Sequence, residues 1–192
     1  MPQQPECDAG NWPYAIIVGV RFRLFGVPLL LASAAFSGSL SPQHEERRLR
    51  LYHTHTAQHL DIVYRSGGEY LPSALTRVDE FLRDHRTGEV HHYDPRLLDL
   101  LSDMETSVGR PLAEIHVICG YRTPWSNEFL RLHTSGVAKN SLHMQAEAID
   151  IRLPGTKTAT LRDVALALHR GGVGYYPKSD FVHVDLGRVR RW

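Results

Sequence analysis

Two histidines and one aspartate in the second half of the chain have the residue types and spacing of a catalytic zinc site. His143 and Asp150 lie seven positions apart, and His183 follows 33 positions after Asp150. Two imidazoles and one carboxylate occupy three corners of a tetrahedral zinc ion and leave the fourth corner open for water. Because zinc brings the pKa of such a water close to neutrality, the spacing predicts a zinc hydrolase centre at these three residues.

Hydrolysis at such a centre also needs a base that accepts the proton of water and a cation that stabilises the oxyanion. Asp185 lies two positions after His183, on the same face of a strand, whereas Asp180 lies three positions before it and needs a turn to bring it round. Arg122, which follows a short apolar run, is the candidate cation. The spacing alone leaves both bases open, and carboxylate–histidine pairs also occur as ordinary surface groups.

The three predicted ligands need rigid elements to hold them. Residues 148–153 alternate between apolar and polar side chains, which predicts a strand that carries Asp150. Residues 181–186 predict a second strand that carries His183. We expect His143 on a loop, because an odd separation of seven positions would place it on the opposite face from Asp150 in one continuous strand.

The remaining segments indicate a mixture of strands and helices. Further strands are predicted over residues 49–55, 59–65, 115–119 and 173–176. Amphipathic helices are predicted over residues 72–83, 95–108, 124–133 and 158–169. Since the two kinds of element do not alternate regularly, the pattern predicts an α+β fold with a mostly antiparallel sheet flanked by helices.

Composition excludes several classes of protein and site. The chain has 192 residues, of which 42% are hydrophobic, and this is the size and composition of one globular domain. Its formal net charge of +1 provides no excess of positive charge for binding nucleic acid. Its two cysteines, Cys7 and Cys119, are too few for a four-cysteine zinc site or a disulfide framework. Cys119 lies in an apolar run and is predicted to be a small buried side chain without a reactive role.

The N-terminal part has the pattern of an export signal. Two arginines precede a 13-residue apolar run, residues 24–36, and small residues follow it. This order is typical of a secretory signal, and the run is too short to span a bilayer, so no stable membrane span is expected after cleavage. A buried core helix is the alternative. A signal normally begins with its charged residues, but here about 20 residues precede Arg21 and Arg23. We therefore expect translation to start near Val20, directly before these arginines. Residues 1–40 are thus predicted to be an extension plus a signal, and residues 41–192 the exported domain.

Several ordered motifs resemble one family of cell-wall peptidases. They are Gly-Tyr-Arg-Thr at residues 120–123, Asn-Ser-Leu-His-Met at 140–144, Ala-Ile-Asp-Ile-Arg at 148–152 and Phe-Val-His-Val-Asp at 181–185. In this order they resemble the murein endopeptidase K branch of the zinc D-Ala-D-Ala carboxypeptidase-like peptidases, which have the hedgehog/DD-peptidase fold. The resemblance covers residues 49–192, nearly the whole of the predicted exported domain.

The resemblance implies a function and a role for each site residue. It implies Zn²⁺ on His143, Asp150 and His183. It also implies that Arg122 contacts the substrate or the oxyanion and that Ser141, in the same motif as the first histidine, binds substrate. The implied substrate is the stem peptides of peptidoglycan, and the implied location is the periplasm, with residues 41–192 forming the zinc peptidase domain.

Two positions depart from the family pattern. Ala146 stands where the family usually has glycine, and Cys119 stands where relatives often have serine. Carboxypeptidase relatives place an acidic base three positions before the last histidine. Asp180 matches that position, but the choice between Asp180 and Asp185 stays open.

The sequence therefore predicts a zinc-dependent murein endopeptidase that hydrolyses the peptide cross-links of peptidoglycan in cell-wall remodelling. A D,D- or L,D-carboxypeptidase that trims stem peptides is the alternative enzyme. A non-catalytic cell-wall binding protein of the same fold is the alternative from a different class. The complete set of three ligands favours an enzyme, because a binding protein has no need of an open metal site.

Overall fold

The computed structural model describes residues 45–134 and 136–192. The predicted signal and the predicted translation start near Val20 lie outside these residues. The strands of the described part are β1 Glu46–His53, β2 Gln58–Ser66, β3 Glu69–Tyr70, β4 Glu114–Cys119, β5 Ala148–Arg152, β6 Gly172–Tyr176, β7 Phe181–Asp185 and β8 Arg190–Arg191. The helices are α1 Pro72–Phe81, α2 Arg96–Ser107, α3 Pro124–His133 and α4 Thr158–Leu168, with a short 3₁₀ helix at Leu142–Gln145.

All eight described strands form one sheet in the order β3-β2-β1-β4-β5-β7-β6-β8. Neighbouring strands are antiparallel except for the parallel pairs β1–β4 and β6–β8. The structure therefore confirms the predicted α+β fold with a mostly antiparallel sheet. Both edge strands have only two residues, which leaves little free edge for pairing with another chain.

The alternation along β5 divides its side chains between two faces. Ile149 and Ile151 are fully buried in the hydrophobic core, while Asp150 between them points to the opposite face. Helix α2 supplies an apolar stripe to the same core through Leu97 and Leu101. The core thus fixes the strand that carries a predicted ligand and keeps that ligand on the other face of the sheet.

One acidic side chain lies inside the helical side of the core. Glu105 of α2 is only 2% exposed, and its Oε1 atom has no hydrogen-bond partner among the described residues. Burial in these surroundings raises the pKa of Glu105 to about 7. The charged form of this carboxyl is therefore disfavoured in the folded protein.

Two element predictions around the site can be compared directly with the structure. The strand predicted over residues 49–55 ends at His53, because the backbone turns at residues 54–57 and Ala57 has a positive φ of 55°. The predicted hairpin of β6 and β7 is confirmed, with its turn at residues 177–180.

No helix in the described ranges has the length and apolar character needed to cross a membrane.

Candidate metal centre

Strands β5 and β7 bring two predicted ligands together through their register. Asp150 pairs directly with His183 in this antiparallel ladder, so both side chains stand on the same face. The Nδ1 atom of His183 lies 2.8 Å from Oδ1 of Asp150. A separation of 33 positions along the chain therefore becomes a direct side-chain contact.

The 3₁₀ helix brings the third predicted ligand to the same point. Ser141 begins this helix, and its side-chain oxygen accepts a hydrogen bond from the backbone N–H of His143 at 3.4 Å. The helix ends at Ala146, which adopts the left-handed conformation with φ 52° and is fully buried. Glycine is the usual residue for this conformation, and a β-carbon there costs about 1 kcal/mol. The alanine methyl group nevertheless packs inside the core.

Three ligand atoms converge on one point. The Nε2 atom of His143 lies 3.2 Å from Oδ1 of Asp150 and 3.2 Å from Nδ1 of His183, and the third side of this triangle is 2.8 Å. With metal–ligand distances of about 2.0–2.1 Å, the ligand atoms of a tetrahedral zinc ion lie about 3.3 Å apart. The triangle therefore has the size of one face of a zinc site.

Hydrogen bonds on the far side of each imidazole fix which nitrogen carries the hydrogen. Nδ1 of His143 lies 2.8 Å from the carbonyl oxygen of Gly120, and Nε2 of His183 lies 3.1 Å from Oδ2 of Asp185. Since each of these nitrogens donates to an oxygen, the other nitrogen of each ring is left as an acceptor. Three acceptors that face each other repel unless a proton or a metal ion lies between them, so this donor set fits a divalent metal.

Contacts between the charged groups of the centre shift the pKa values of all three predicted ligands. Burial disfavours the charged form of His143, but the adjacent Asp150 carboxylate and the nearby Cys119 outweigh it and raise the pKa of His143 above its usual range. Burial acts against the Asp150 carboxylate as well, yet the two histidines hold the pKa of Asp150 well below its usual range. The pKa of His183 is raised, again because contact with Asp150 and Asp185 outweighs burial.

The carboxylate of Asp185 is fully buried and saturated with hydrogen bonds. Its Oδ1 atom accepts from the backbone N–H groups of Gly172 and Gly187, each at 2.9 Å, and from Nη1 of Arg190 at 3.0 Å. Its Oδ2 atom accepts from Nη2 of Arg190 at 2.7 Å and faces His183. These contacts outweigh the effect of burial and lower the pKa of Asp185.

The other predicted base lies elsewhere. Asp180 sits on the turn between β6 and β7 with a φ of 53°, and its side chain is 62% exposed. Its carboxylate accepts a hydrogen bond from the hydroxyl of Thr158 and lies 3.8 Å from Nη1 of Arg152. In the described structure Asp180 therefore contacts neither the three predicted ligands nor their hydrogen-bond partners.

Arg122 lies beside the three predicted ligands at the end of the β4 segment. Its Nη2 atom contacts Sγ of Cys119 at 3.3 Å, and its Nη1 atom donates to Oδ1 of Asn127 at 3.2 Å. The guanidinium is buried, and its Nε atom has no hydrogen-bond partner within the described residues. The preceding Gly120 must be a glycine, because a β-carbon there would lie 2.5 Å from the carbonyl oxygen of Leu82.

A cleft of about 300 Å³ gives access to the centre. It is lined by the three predicted ligands and by the predicted substrate residues Arg122 and Ser141. One wall comes from the β6–β7 hairpin and the end of the chain, and the other comes from the segment between α3 and the 3₁₀ helix. Neither Asp180 nor Asp185 is among the described residues that line it.

Two residues of the centre were not anticipated from the residue pattern. The residue pattern gives Arg190 no role in the centre, but its guanidinium holds Asp185 with two hydrogen bonds. Cys119 was interpreted as an inert apolar side chain. A ligand atom of Cys119 lies within 4.8 Å of one from His143 and one from Asp150, and contact with His143 and Arg122 outweighs burial and lowers the pKa of the thiol. The position of Cys119 beside Asp150 follows from the register of β4 and β5, which the residue pattern does not give.

A family model and individual relatives place the chain in the same family of proteins. The sequence model described as peptidoglycan L,D-endopeptidase MepK matches residues 41–192. A probable peptidoglycan L,D-endopeptidase MepK from Haemophilus influenzae is 40% identical over 146 residues, which cover 76% of this chain and 78% of that protein. The peptidoglycan L,D-endopeptidase MepK of Escherichia coli strain K12 is 34% identical over 163 residues, covering 85% and 88%. These matches confirm the resemblance found in the motifs, and the chain belongs to the peptidoglycan L,D-endopeptidase MepK family of peptidases.

Proposed function

We propose that this protein is a zinc-dependent endopeptidase that hydrolyses peptide cross-links of peptidoglycan in the periplasm. One observation carries the proposal: Nε2 of His143, Nδ1 of His183 and Oδ1 of Asp150 converge within 3.2 Å, with the hydrogen of each ring directed to another partner. Membership of a peptidase family supports hydrolysis of a peptide bond in the cell wall. The names of the relatives support an L,D-bond as the bond that is cut.

The metal would have a defined place and role. Zinc held by His143, Asp150 and His183 would supply a Lewis acid and an activated water at the floor of the cleft. The chain itself contributes the orientation of the ligands. Gly120 and Asp185 hold the two rings in the tautomers that expose a lone pair, and such partners change metal affinity by about 10- to 100-fold.

We assign Arg122 to the stabilisation of charge on the scissile carbonyl oxygen. The guanidinium is held by Cys119 and Asn127, so it does not need to reorganise during the reaction. Its position among the cleft residues supports contact with substrate, and Ser141 lies in the same lining. We assign Ser141 to substrate binding, because its oxygen accepts from the backbone of His143 and its hydroxyl donates to no partner among the described residues.

The surroundings of the two aspartates support different roles for them. Asp185 is excluded from water and both of its oxygens are occupied, so we assign it to the positioning of His183. The role of base then falls to Asp180. Its neighbours in the chain, Ser179 and Phe181, both line the cleft, which supports this assignment, and the Asp180 side chain would have to leave Thr158 to reach the substrate.

Metal analysis and a digest together test the proposal. The purified protein is expected to bind one zinc ion, and His143→Ala is expected to abolish this binding. His59→Ala is the matched control, since this imidazole is exposed, pairs with Glu114 and lies on β2, which β1 and β4 separate from β5. With zinc, cross-linked muropeptide dimers are expected to disappear. Loss of a terminal residue without loss of dimers would instead identify a carboxypeptidase, and absence of zinc binding would reject the metal centre.

A further inference from the structure

Trp192 is held in one position by four contacts, two from its indole and two from its backbone. Its Nε1 atom donates to the hydroxyl oxygen of Tyr176 at 2.8 Å, and the guanidinium carbon of Arg190 lies 4.9 Å from the ring centroid. The backbone of Trp192 continues the sheet, because its N–H donates to the carbonyl of Val173 at 3.2 Å and its carbonyl accepts from the N–H of Tyr175 at 3.0 Å. A ring fixed at both its side chain and its backbone loses little further freedom when it binds a ligand.

A glycine makes the space that this ring occupies. Gly174 of β6 pairs with His183 across the ladder, and the indole of Trp192 lies against its Cα. A β-carbon at Gly174 would lie 2.8–2.9 Å from three atoms of the indole. Any larger residue at this position would therefore displace the indole from its place beside His183, where the two ring centroids are 5.2 Å apart.

Trp192 is partly exposed, and it contributes to the lining of the cleft. Trp192 is 50% exposed although it makes all of these contacts, and it lines the same cleft as the three predicted ligands. Next to it in the lining are Tyr176 and Phe181, whose rings stack on each other at 4.5 Å. This wall of the cleft therefore presents an ordered aromatic surface directly beside a predicted metal ligand.

We propose that Trp192 is a specificity-determining residue, and that its indole binds the aliphatic part of the stem-peptide residue on one side of the scissile bond. An exposed aromatic face suits methylene groups, because it removes apolar surface from water without requiring polar partners. Contact with this face places the peptide chain beside His183, where the scissile carbonyl must lie. The inference rests on the proposed function and names the residue that selects the substrate for it.

Kinetics of three variants test the inference. Trp192→Ala is expected to raise KM about five- to tenfold, with kcat and zinc content close to those of the wild type. Trp192→Phe is expected to restore part of this loss, since it keeps an aromatic face. Gly174→Ala is expected to raise KM in the same way, because it displaces the ring without removing it. Trp125→Ala, at a 62% exposed position on α3, is the control and leaves KM unchanged.

Fluorescence provides a readout that does not depend on turnover. In a Trp12→Phe, Trp125→Phe background without zinc, which leaves Trp192 as the single tryptophan, titration with a synthetic stem tetrapeptide is expected to change indole emission in a saturable way. The further change Gly174→Ala is expected to weaken this binding by a similar factor of about five to ten. Because Gly174→Ala keeps the indole, it tests the inference even if Trp192→Ala does not fold.

The outcomes separate this inference from the proposed function. If the wild type cleaves muropeptides but KM is unchanged in both Trp192→Ala and Gly174→Ala, the indole only covers the sheet edge and the inference is overturned. A lower melting temperature with unchanged KM leads to the same conclusion. If the wild type binds zinc but leaves cross-linked muropeptides intact, the proposed function is overturned instead.

Discussion

Replacement of Asp185 by asparagine distinguishes a positioning role from a catalytic role. Asparagine has nearly the same shape, and its oxygen can still accept from the N–H groups of Gly172 and Gly187. Its amide nitrogen, however, would replace the oxygen that faces Nε2 of His183 and Nη2 of Arg190, so that donors face donors. The imidazole of His183 must then carry its hydrogen on Nδ1, the atom that points to Asp150.

The expected size of the effect follows from this change of tautomer. A ligand nitrogen that carries a hydrogen cannot donate a lone pair, and loss of such a supporting hydrogen bond reduces metal affinity by about 10- to 100-fold. This corresponds to about 1.4–2.7 kcal/mol of zinc binding free energy. Asp163→Asn is the matched control, because this carboxylate on α4 is 63% exposed and pairs only with Arg162 among the described residues.

Chelator competition at constant pH measures the zinc affinity of both variants. We expect Asp185→Asn to need less chelator for half-removal of zinc, while its turnover recovers when zinc is supplied in excess. Equal zinc affinity combined with a complete loss of turnover would refute the positioning role. That result would identify Asp185 as the base and would leave Asp180 without a function at the centre.

Three further predictions concern other residues of the fold and the centre. Arg122→Lys is expected to lower kcat/KM about 100-fold with zinc content unchanged, because one ammonium cannot replace the held guanidinium; a loss of zinc would contradict this. Since the folded pKa of Glu105, about 7, lies above the value of 4.5 for the free side chain, its destabilising effect grows as pH rises from about 4.5 to 7 and then levels off. In urea unfolding, the free energy of unfolding of Glu105→Gln should therefore rise relative to that of the wild type by about 2 kcal/mol between pH 5 and pH 8. A difference between the two proteins that stays constant over this pH range would contradict the raised pKa of Glu105. Ala146→Gly relieves the left-handed backbone but removes a buried methyl group, so we expect a change in unfolding free energy of less than about 1 kcal/mol and an unchanged zinc affinity.

The fold class and the elements that carry Asp150 and His143 could be predicted because they depend on local pattern. Alternation placed Asp150 on a strand, and the odd separation placed His143 outside it; the structure has both. The spacing also predicted His183 as the third ligand, and the strand register brings this residue to Asp150. Their role as zinc ligands stays a proposal, because the geometry fits a metal but does not identify it.

The partners of these residues could not be predicted because they come from contacts across the sheet. Arg190 lies on β8, which pairs with β6 and places its guanidinium on Asp185 at the end of β7, and no spacing rule gives that order. The environment of Cys119 depends on the register between β4 and β5, which contains an irregularity between Val117 and Cys119. The choice between Asp180 and Asp185 likewise required the direction of a side chain on a turn, which the residue types do not specify.

The three predicted ligands come from separate segments of the chain, and this couples metal binding to folding. His143 comes from a 3₁₀ helix anchored at the end of β4, whereas Asp150 and His183 meet only after β5 and β7 have paired. An unfolded chain brings these groups together only at the cost of closing long loops, so it has no comparable affinity for the ion. Zinc would then bind last and add to the stability of the finished fold by about 2.7 kcal/mol at a concentration 100 times its dissociation constant. Zinc content would therefore measure the fraction of chains in which β5 and β7 have paired correctly.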